Sequence, residues 1–139
     1  MFLLDTNVVS ELRRPRPAAP VLNWIRHQSA EHLFLSAVTV GEIQAGIELT
    51  REQDATRAEQ IEAWLDQVLD AYEVLVVDAP VFREWARLMH RRSNTLMQDA
   101  LIAAVAKVHR LTVATRNVRD FRPLGVSVID PFEFEEGTP

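Results

Sequence analysis

Short, predominantly apolar runs recur along the chain and are separated by longer amphipathic stretches. The runs occupy residues 2–4, 32–36, 74–77, 111–114 and 126–129. Their nearly continuous apolar character is typical of strands that are buried on both faces. Because helical patterns separate them, we expect βαβ crossovers and an α/β fold with a parallel five-stranded sheet flanked by helices on both faces.

The stretches between the strands carry helical spacing and helix-start signals. Thr39 with Glu42, and Thr95 with Gln98, form capping-box patterns that predict two helix starts. Asp78 is expected to cap a further helix. The apolar faces predicted to point inward are Val40, Ile43 and Ile47; Ala58, Ile61, Leu65, Val68 and Tyr72; Phe82, Trp85, Leu88 and Met89; and Leu101, Ile102, Val105 and Val108. We expect Trp24, Trp64 and Trp85 to pack in the core rather than to stack on bases.

Length and composition bound the class of protein. A chain of 139 residues predicts one domain, which we place at residues 1–134, followed by a flexible acidic tail at 135–139. Cysteine is absent, which excludes disulfide scaffolds, thiolate metal sites and cysteine nucleophiles. The longest apolar run has seven residues and the N-terminus lacks a signal-peptide pattern, so we expect a cytoplasmic protein without a membrane partner.

Three carboxylates are candidates for chemistry. In open parallel sheets, ligands bind beyond the carboxyl ends of the strands. Asp5 follows the first strand, Glu42 comes shortly after the second, and Asp99 precedes the fourth by one helix. Clustered carboxylates repel one another unless they are protonated or a cation lies between them. Oxygen ligands suit Mg²⁺ or Mn²⁺, and such ions activate water against phosphate esters.

Each of these acidic residues also has a structural interpretation when taken alone. Asp5 fits a turn or cap, Glu42 fits a capping box, and Asp99 fits a solvated carboxylate in a first helical turn. The candidate site therefore depends on whether the fold brings the three together.

Arginine dominates the basic residues, although the net charge of −5 argues against an indiscriminate nucleic-acid coat. Fourteen of the fifteen basic residues are arginine. Guanidinium groups match phosphate oxygens bidentately, so clusters near the candidate site could contact the phosphates of a nucleic acid; the alternative is an ordinary solvated surface. The clusters are Arg13, Arg14 and Arg16; Arg91 and Arg92; and Arg116, Arg119 and Arg122.

Four segments together resemble one known family. They are residues 1–12 (MFLLDTNVVSEL), 35–43 (LSAVTVGEI), 99–106 (DALIAAVA) and 115–121 (TRNVRDF). In this order and at these separations the chain resembles the PIN-domain ribonucleases, specifically the VapC/FitB-like toxins of bacterial VapBC toxin–antitoxin pairs. The resemblance implies a PIN-like three-layer fold.

The resemblance also implies roles for individual residues. Asp5, Glu42 and Asp99 match the family's acidic metal ligands, and Thr6, Asn7, Ser36 and Thr115 match polar residues that support the site. At the fourth acidic position this chain has Asn117, which carries no charge, and Asp120 is the alternative acid for that position. We therefore expect one firmly held ion.

What the resemblance implies for function is an Mg²⁺- or Mn²⁺-dependent endoribonuclease toxin that cleaves cellular RNA, in some relatives tRNA. It further implies a homodimer, a VapB-like antitoxin that blocks the site, and operator DNA bound only through the antitoxin complex. The alternative is a catalytically weak binding module that acts through its partner and operator-DNA complex. A phosphoacceptor receiver and a haloacid-dehalogenase-type phosphatase are disfavoured, because the single lysine, Lys107, falls within a helix and Asn7 replaces the second aspartate of a phosphatase motif.

Overall fold

Five parallel strands form one sheet at the centre of the molecule. The structure, a computed structural model, describes residues 1–137. The strands are β1 (Phe2–Leu4), β2 (Leu33–Ser36), β3 (Glu73–Leu75), β4 (Thr112–Ala114) and β5 (Val128–Ile129). Their order in the sheet is β3-β2-β1-β4-β5, and every pairing is parallel. This confirms the predicted fold class and strand number.

Within residues 1–137, seven α-helices connect these strands and cover the sheet. They are α1 (Thr6–Glu11), α2 (Ala19–Arg26), α3 (Ala37–Arg51), α4 (Ala55–Ala71), α5 (Ala79–Met89), α6 (Met97–His109) and α7 (Val118–Phe121). Short 3-10 turns lie at Ala30–His32, Asn94–Leu96, Arg122–Leu124 and Pro131–Glu133.

The pleat of the strands divides the core into two clusters. Leu3 and Val113 belong to one cluster, which also holds the buried residues of α5 and α6. Leu4 and Ala114, the next residues along each strand, belong to the other cluster with α1 to α4. Successive strand residues point to opposite faces of a sheet, so both faces are buried and the three-layer arrangement follows.

Both predicted capping boxes are wrong. Helix α3 begins two residues before Thr39, and the Ser36 hydroxyl caps it by accepting a hydrogen bond from the Val38 N–H at 2.9 Å. Ser93, not Thr95, provides the hydroxyl at the turn before α6. For α3, a serine in extended backbone three residues upstream takes the capping position before Thr39. Helix α6 begins directly after the 3-10 turn that Ser93 caps, and its own N-cap residue, Leu96, provides no side-chain hydrogen bond. The predicted cap at Asp78 is confirmed, because its carboxylate accepts from the Val81 N–H.

Some residues predicted to point inward are exposed. Phe82 is 49% exposed and Val108 is 38% exposed. In α5 the adjacent Val81 is buried instead of Phe82. In α6 Val105 is buried as predicted, so the buried stripe ends one turn before Val108. The third strand also ends earlier than predicted, at Leu75, and leaves Val76 exposed.

The tryptophans follow the prediction only in part. Trp24 is buried and packs edge-on against Phe2 at 4.9 Å between ring centroids. Trp64 and Trp85 are half-buried at the margins of the two clusters. The indole N–H of Trp85 donates to the Met97 carbonyl, which ties α5 to the start of α6.

The predicted division into a domain at 1–134 and a flexible acidic tail at 135–139 stays a prediction. Glu135, Glu136 and Gly137 are exposed and lie outside the helices and strands. Residues 138 and 139 of that tail lie outside the described residues. Within residues 1–137, no helix has both the length and the apolar character that a membrane span needs.

Candidate active site

The candidate site lies where the order of the strands changes direction. The chain builds β1, β2 and β3 outward on one side of the sheet and then places β4 on the other side of β1. The carboxyl ends of β1 and β4 therefore border a crevice between diverging connections, which is the usual ligand position in an open parallel sheet. Asp5 follows β1 and Thr115 follows β4, and the Asp5 N–H donates to the Ala114 carbonyl at 2.9 Å.

Asp5 is a buried carboxylate that three hydrogen bonds hold in place. Its side chain is almost inaccessible, with 4% of the residue exposed. The Thr115 hydroxyl donates to Oδ2 at 2.7 Å, the Thr6 N–H donates to Oδ1 at 2.8 Å, and the Asn7 amide donates to Oδ2 at 3.3 Å. Burial raises the pKa of Asp5, and the hydrogen bonds from Thr115 and Thr6 partly offset this by stabilising the anion.

Asn7 links the start of α1 to the turn after β4. Its amide nitrogen lies 3.4 Å from the Thr115 hydroxyl, and its carbonyl oxygen accepts from the Arg116 N–H at 3.2 Å. The same Thr115 hydroxyl accepts from the Asn117 N–H at 2.9 Å. The turn at 115–117 is thereby fixed relative to Asp5, so the orientation of that carboxylate depends on residues more than 100 positions away.

Glu42 enters the site from α3, on the opposite side of β1 from Thr115. Burial raises the pKa of the Glu42 carboxyl, and the negative charges of Asp5 and Asp99 raise it further. A hydrogen bond from the Thr6 hydroxyl lowers this pKa and so offsets part of the increase. Thr39, one turn earlier on α3, is fully buried and its hydroxyl lies 3.1 Å from that of Thr6. This contact joins α1 to α3 and fixes the height of Glu42 above the sheet.

Asp99 is the third member of the cluster and lies in the first turn of α6, as predicted. Burial raises its pKa to about 6, and the negative charges of Asp5 and Asp120 contribute to the increase. The negative charges of Asp5 and Asp99 therefore each raise the pKa of Glu42, and the charge of Asp5 also raises the pKa of Asp99. The fold therefore brings three carboxylates that lie far apart in the sequence within electrostatic reach of one another.

The donor set fits one hard, hydrated divalent cation. All candidate ligands are carboxylate oxygens, and the raised pKa values mean that a nearby positive charge would stabilise the ionised forms. Among residues 1–137, no three acidic or histidine side chains are close enough together to form a complete ligand set. Mg²⁺ commonly keeps several water ligands and is held by one or two carboxylates, which this arrangement can supply.

Two candidates remain for the fourth acidic position. The Asn117 side chain is exposed and does not cap α7, although its backbone N–H is fixed by Thr115. Asp120 lies three residues later and is the residue whose charge reaches Asp99. Both residues therefore stay candidates for this position.

The predicted RNA-contacting arginines lie in different surroundings. Arg13 lines a groove of about 260 Å³ together with Thr6 and Glu42. Arg14 forms an ion pair with Glu11, with 3.7 Å between Nε and Oε1. The side chain of Arg92 donates to the Pro123 carbonyl, and Arg91 adopts a left-handed backbone conformation in the exposed turn after α5.

A larger cleft opens on the β5 side of the site and contains the third arginine cluster. Its volume is about 890 Å³, and we refer to it as the C-terminal cleft. Its charged lining residues are Arg116, Arg119, Arg122, Asp120, Asp130 and Glu133.

Two residues that shape the site were not identified from the sequence. Thr39 was interpreted as a helix cap, but it is a buried contact to Thr6. Glu11 is 7% exposed, and its Oε2 accepts from the Ala18 N–H at 3.0 Å, which closes the loop of residues 12–18 that carries Arg13, Arg14 and Arg16. We call this segment the arginine loop. An acidic residue on the inner side of a short helix is the one signal that could have drawn attention to Glu11.

Comparisons with known proteins agree with this geometry. Residues 2–125 match the PIN domain family. The chain is 41% identical over 140 residues to the plasmid stability protein StbB of Pseudomonas syringae pv. tomato, covering 96% of this chain and 99% of the relative. It is 36% identical over 144 residues to the VapC ribonuclease Y4jK of Sinorhizobium fredii, with 96% and 99% covered.

Two solved structures, one of them FitAcB from Neisseria gonorrhoeae, share both fold and sequence with the chain. FitAcB superposes with a TM-score of 0.85 at 34% identity, covering 96% of this chain and 100% of the other. FitAB bound to the IR36 DNA fragment superposes with a TM-score of 0.75 at 34% identity, covering 99% and 100%. The family match spans most of the chain, and the full-length relatives exceed 30% identity. The chain therefore belongs to the PIN-domain family and, within it, to the VapC/FitB toxin family.

Proposed function

We propose that this protein is an Mg²⁺- or Mn²⁺-dependent endoribonuclease toxin that cleaves cellular RNA, with tRNA or another structured RNA as its target. The observation that carries the proposal is the buried Asp5 carboxylate, held by Thr115, Thr6 and Asn7 and electrostatically coupled to Glu42 and Asp99. Burying a carboxylate among other carboxylates is unfavourable unless a cation compensates for it. Ribonuclease relatives give independent support.

The chain's own side chains have separable tasks in this proposal. Asp5 and Asp99 would hold the cation, and Glu42 would either hold it or orient the attacking water. When bound, a divalent cation lowers the pKa of water and stabilises negative charge on phosphate oxygens. Thr115 and Asn7 hold the Asp5 carboxylate in one orientation, and Arg13 lines the same groove as Glu42, where it could position a phosphate.

We also propose that a VapB-like antitoxin blocks the site, that operator DNA binds through that complex, and that the protein acts as a homodimer. Support comes from similar proteins: one relative is the toxin FitB, and FitAB has been solved bound to DNA. The net charge of −5 is consistent with a DNA contact supplied by the partner rather than by this chain.

The test is an RNA-cleavage assay on a total tRNA pool with purified protein in Mg²⁺, Mn²⁺ or EDTA. We expect discrete cuts that require the metal and disappear in Asp5→Asn. Asp66→Asn is the matched control, because it removes one carboxylate from the exposed side of α4 and is expected to cleave normally. Cleavage that survives Asp5→Asn or EDTA would contradict the proposal.

A second candidate function is a binding module with weak or absent catalysis. Two observations favour it: Asn117 stands where many family members have an acid, and no complete three-residue ligand set exists among the described residues. It predicts tight association with the antitoxin and no metal-dependent cleavage of any RNA. Isothermal titration with Mn²⁺ separates the candidates further, since the nuclease requires a site that Asp99→Asn weakens.

A further inference from the structure

The C-terminal cleft contains a side-chain arrangement that the proposed cleavage reaction leaves unexplained. The Arg116 guanidinium lies over the Phe132 ring, with its central carbon 4.5 Å from the ring centroid. Arg116 lines the cleft, whereas Phe132 is not among the residues that line it. One face of the guanidinium plane is therefore covered by the ring, and the plane forms part of the cleft wall.

This stacking arrangement fixes a long side chain that would otherwise be mobile. Arg116 is an exposed residue, and a free arginine loses substantial rotamer entropy when it binds a ligand. The contact with Phe132 and the fixed backbone N–H on Asn7 reduce that loss in advance. A planar guanidinium stacked on an aromatic ring presents its second face to another planar group, and nucleobases stack on arginine in this way.

The rest of the cleft carries complementary groups for a single nucleotide. Arg119 and Arg122 provide positive charge for phosphate oxygens. Glu133 and the Asp130 oxygen that does not accept from the Phe132 N–H provide carboxylate oxygens, which accept hydrogen bonds from the exocyclic amino groups of bases. The volume of about 890 Å³ lies within the range of small-molecule sites and can admit a nucleotide.

Two contacts link the cleft to the carboxylate cluster. Asp120 lines the cleft and its charge acts on Asp99, and the turn that carries Arg116 and Asn117 is bonded to Thr115, which donates to Asp5. The cleft therefore lies on the side of the site to which an RNA strand held at the carboxylates could extend by a neighbouring nucleotide.

We propose that the C-terminal cleft is a base-binding subsite for one unpaired nucleotide next to the scissile phosphate, in which the base stacks on Arg116 and an amino group of the base bonds to Asp130 or Glu133. The subsite selects cytosine, adenine or guanine over uracil, because uracil has no exocyclic amino group. This inference rests on the proposed function and names a determinant of its sequence preference.

The test separates the subsite from the cleavage reaction by measuring binding without metal. Fluorescent single-stranded hexaribonucleotides that differ at one position, uridine against cytidine, adenosine or guanosine, are titrated in EDTA. Wild-type protein is expected to bind the oligomers with an amino-bearing base more tightly than the uridine oligomer when the varied nucleotide stands at one particular position of the hexamer. Arg116→Ala is expected to weaken binding about tenfold and to abolish the preference.

Two further variants separate the contribution of stacking from that of charge, and a third variant is the matched control. Arg116→Lys keeps the charge but loses the planar stacking surface, and Phe132→Leu keeps Arg116 but removes its support; both are expected to lose the preference. Arg83→Ala removes an exposed arginine from α5, which follows the opposite edge of the sheet, and is expected to bind as the wild type does. Thermal melting verifies that each variant is folded.

The outcomes for the subsite and for the nuclease are distinguishable. Unchanged binding and preference in Arg116→Ala would overturn the subsite while leaving metal-dependent cleavage intact. Equal losses in Arg116→Ala and Arg83→Ala would also overturn it, because overall charge would then account for binding. If the wild type fails to cleave RNA in Mn²⁺ but shows the Arg116-dependent preference in EDTA, the subsite stands and the proposed nuclease does not.

Discussion

Replacing Asp99 with asparagine should stabilise the protein when no metal is present. Asp99 is half-buried, and its carboxylate is destabilised by burial and by the charges of Asp5 and Asp120. Asparagine has nearly the same shape and removes the charge. The metal-free Asp99→Asn variant is therefore expected to unfold at higher temperature than the wild type at pH 7.5.

The magnitude and the pH dependence follow from the position of the pKa. A pKa raised from 3.8 to about 6 means that the folded state binds more protons than the unfolded state between these values. The free energy of unfolding therefore falls as the pH rises through this window, and the full penalty is present at pH 7. The unscreened penalty is about 3 kcal/mol. Because solvent reaches part of the side chain, we expect about 1 kcal/mol, or about 3 °C in Tm.

Thermal melting followed by circular dichroism measures this effect, with EDTA present at pH 7.5 and at pH 5. The advantage of Asp99→Asn should shrink at pH 5, where much of Asp99 is already protonated in the wild type. Asp66→Asn provides the control for removing an exposed acid. A variant no more stable than the wild type at pH 7.5, or an advantage that is equal at both pH values, would refute the reasoning.

Metal should reverse the order of stability. A ligand that binds only the folded state raises the free energy of unfolding, by about 2.7 kcal/mol at a hundredfold excess over Kd. Mn²⁺ is therefore expected to raise the Tm of the wild type substantially and that of Asp99→Asn much less. Equal shifts in the two proteins would show that Asp99 does not belong to the cation site.

Three other substitutions test the contacts that support the site and the fold. Thr115→Val should weaken Mn²⁺ affinity about tenfold in a calorimetric titration, because the buried aspartate loses its shortest hydrogen bond, and Thr115→Ser should restore it. Glu11→Ala should lower the free energy of urea unfolding by about 1–3 kcal/mol, since the N–H that closes the arginine loop loses its acceptor, whereas Glu11→Gln, which keeps an oxygen there, should cost less. Gly125→Ala should cost about 1 kcal/mol in thermal melting because its φ is +75°, and Gly41→Ala, within α3 and facing open space, should not destabilise the protein.

The sequence alone was sufficient to predict the sheet and the position of Asp5 at its edge. The apolar run at Phe2–Leu4 and its counterparts specify buried parallel strands, because strands buried on both faces need nearly continuous apolar residues. The strand-end argument then selected Asp5, since the carboxyl ends of parallel strands share one edge of the sheet. Asp78 was also predictable, because a helix cap depends on contacts within a few residues.

Tertiary structure decided what local pattern left undetermined. Thr39 and Glu42 satisfy a capping box in sequence, but Ser36 caps the helix, and Thr39 instead contacts Thr6 from an adjacent helix. The orientation of Asp5 depends on Thr115, 110 residues away, and no periodicity encodes such a contact. The stack of Arg116 on Phe132 arises because the turn after β4 and the segment after β5 pack together. Local hydrogen bonding and periodicity fix the elements, whereas the packing between elements determines which polar side chains meet.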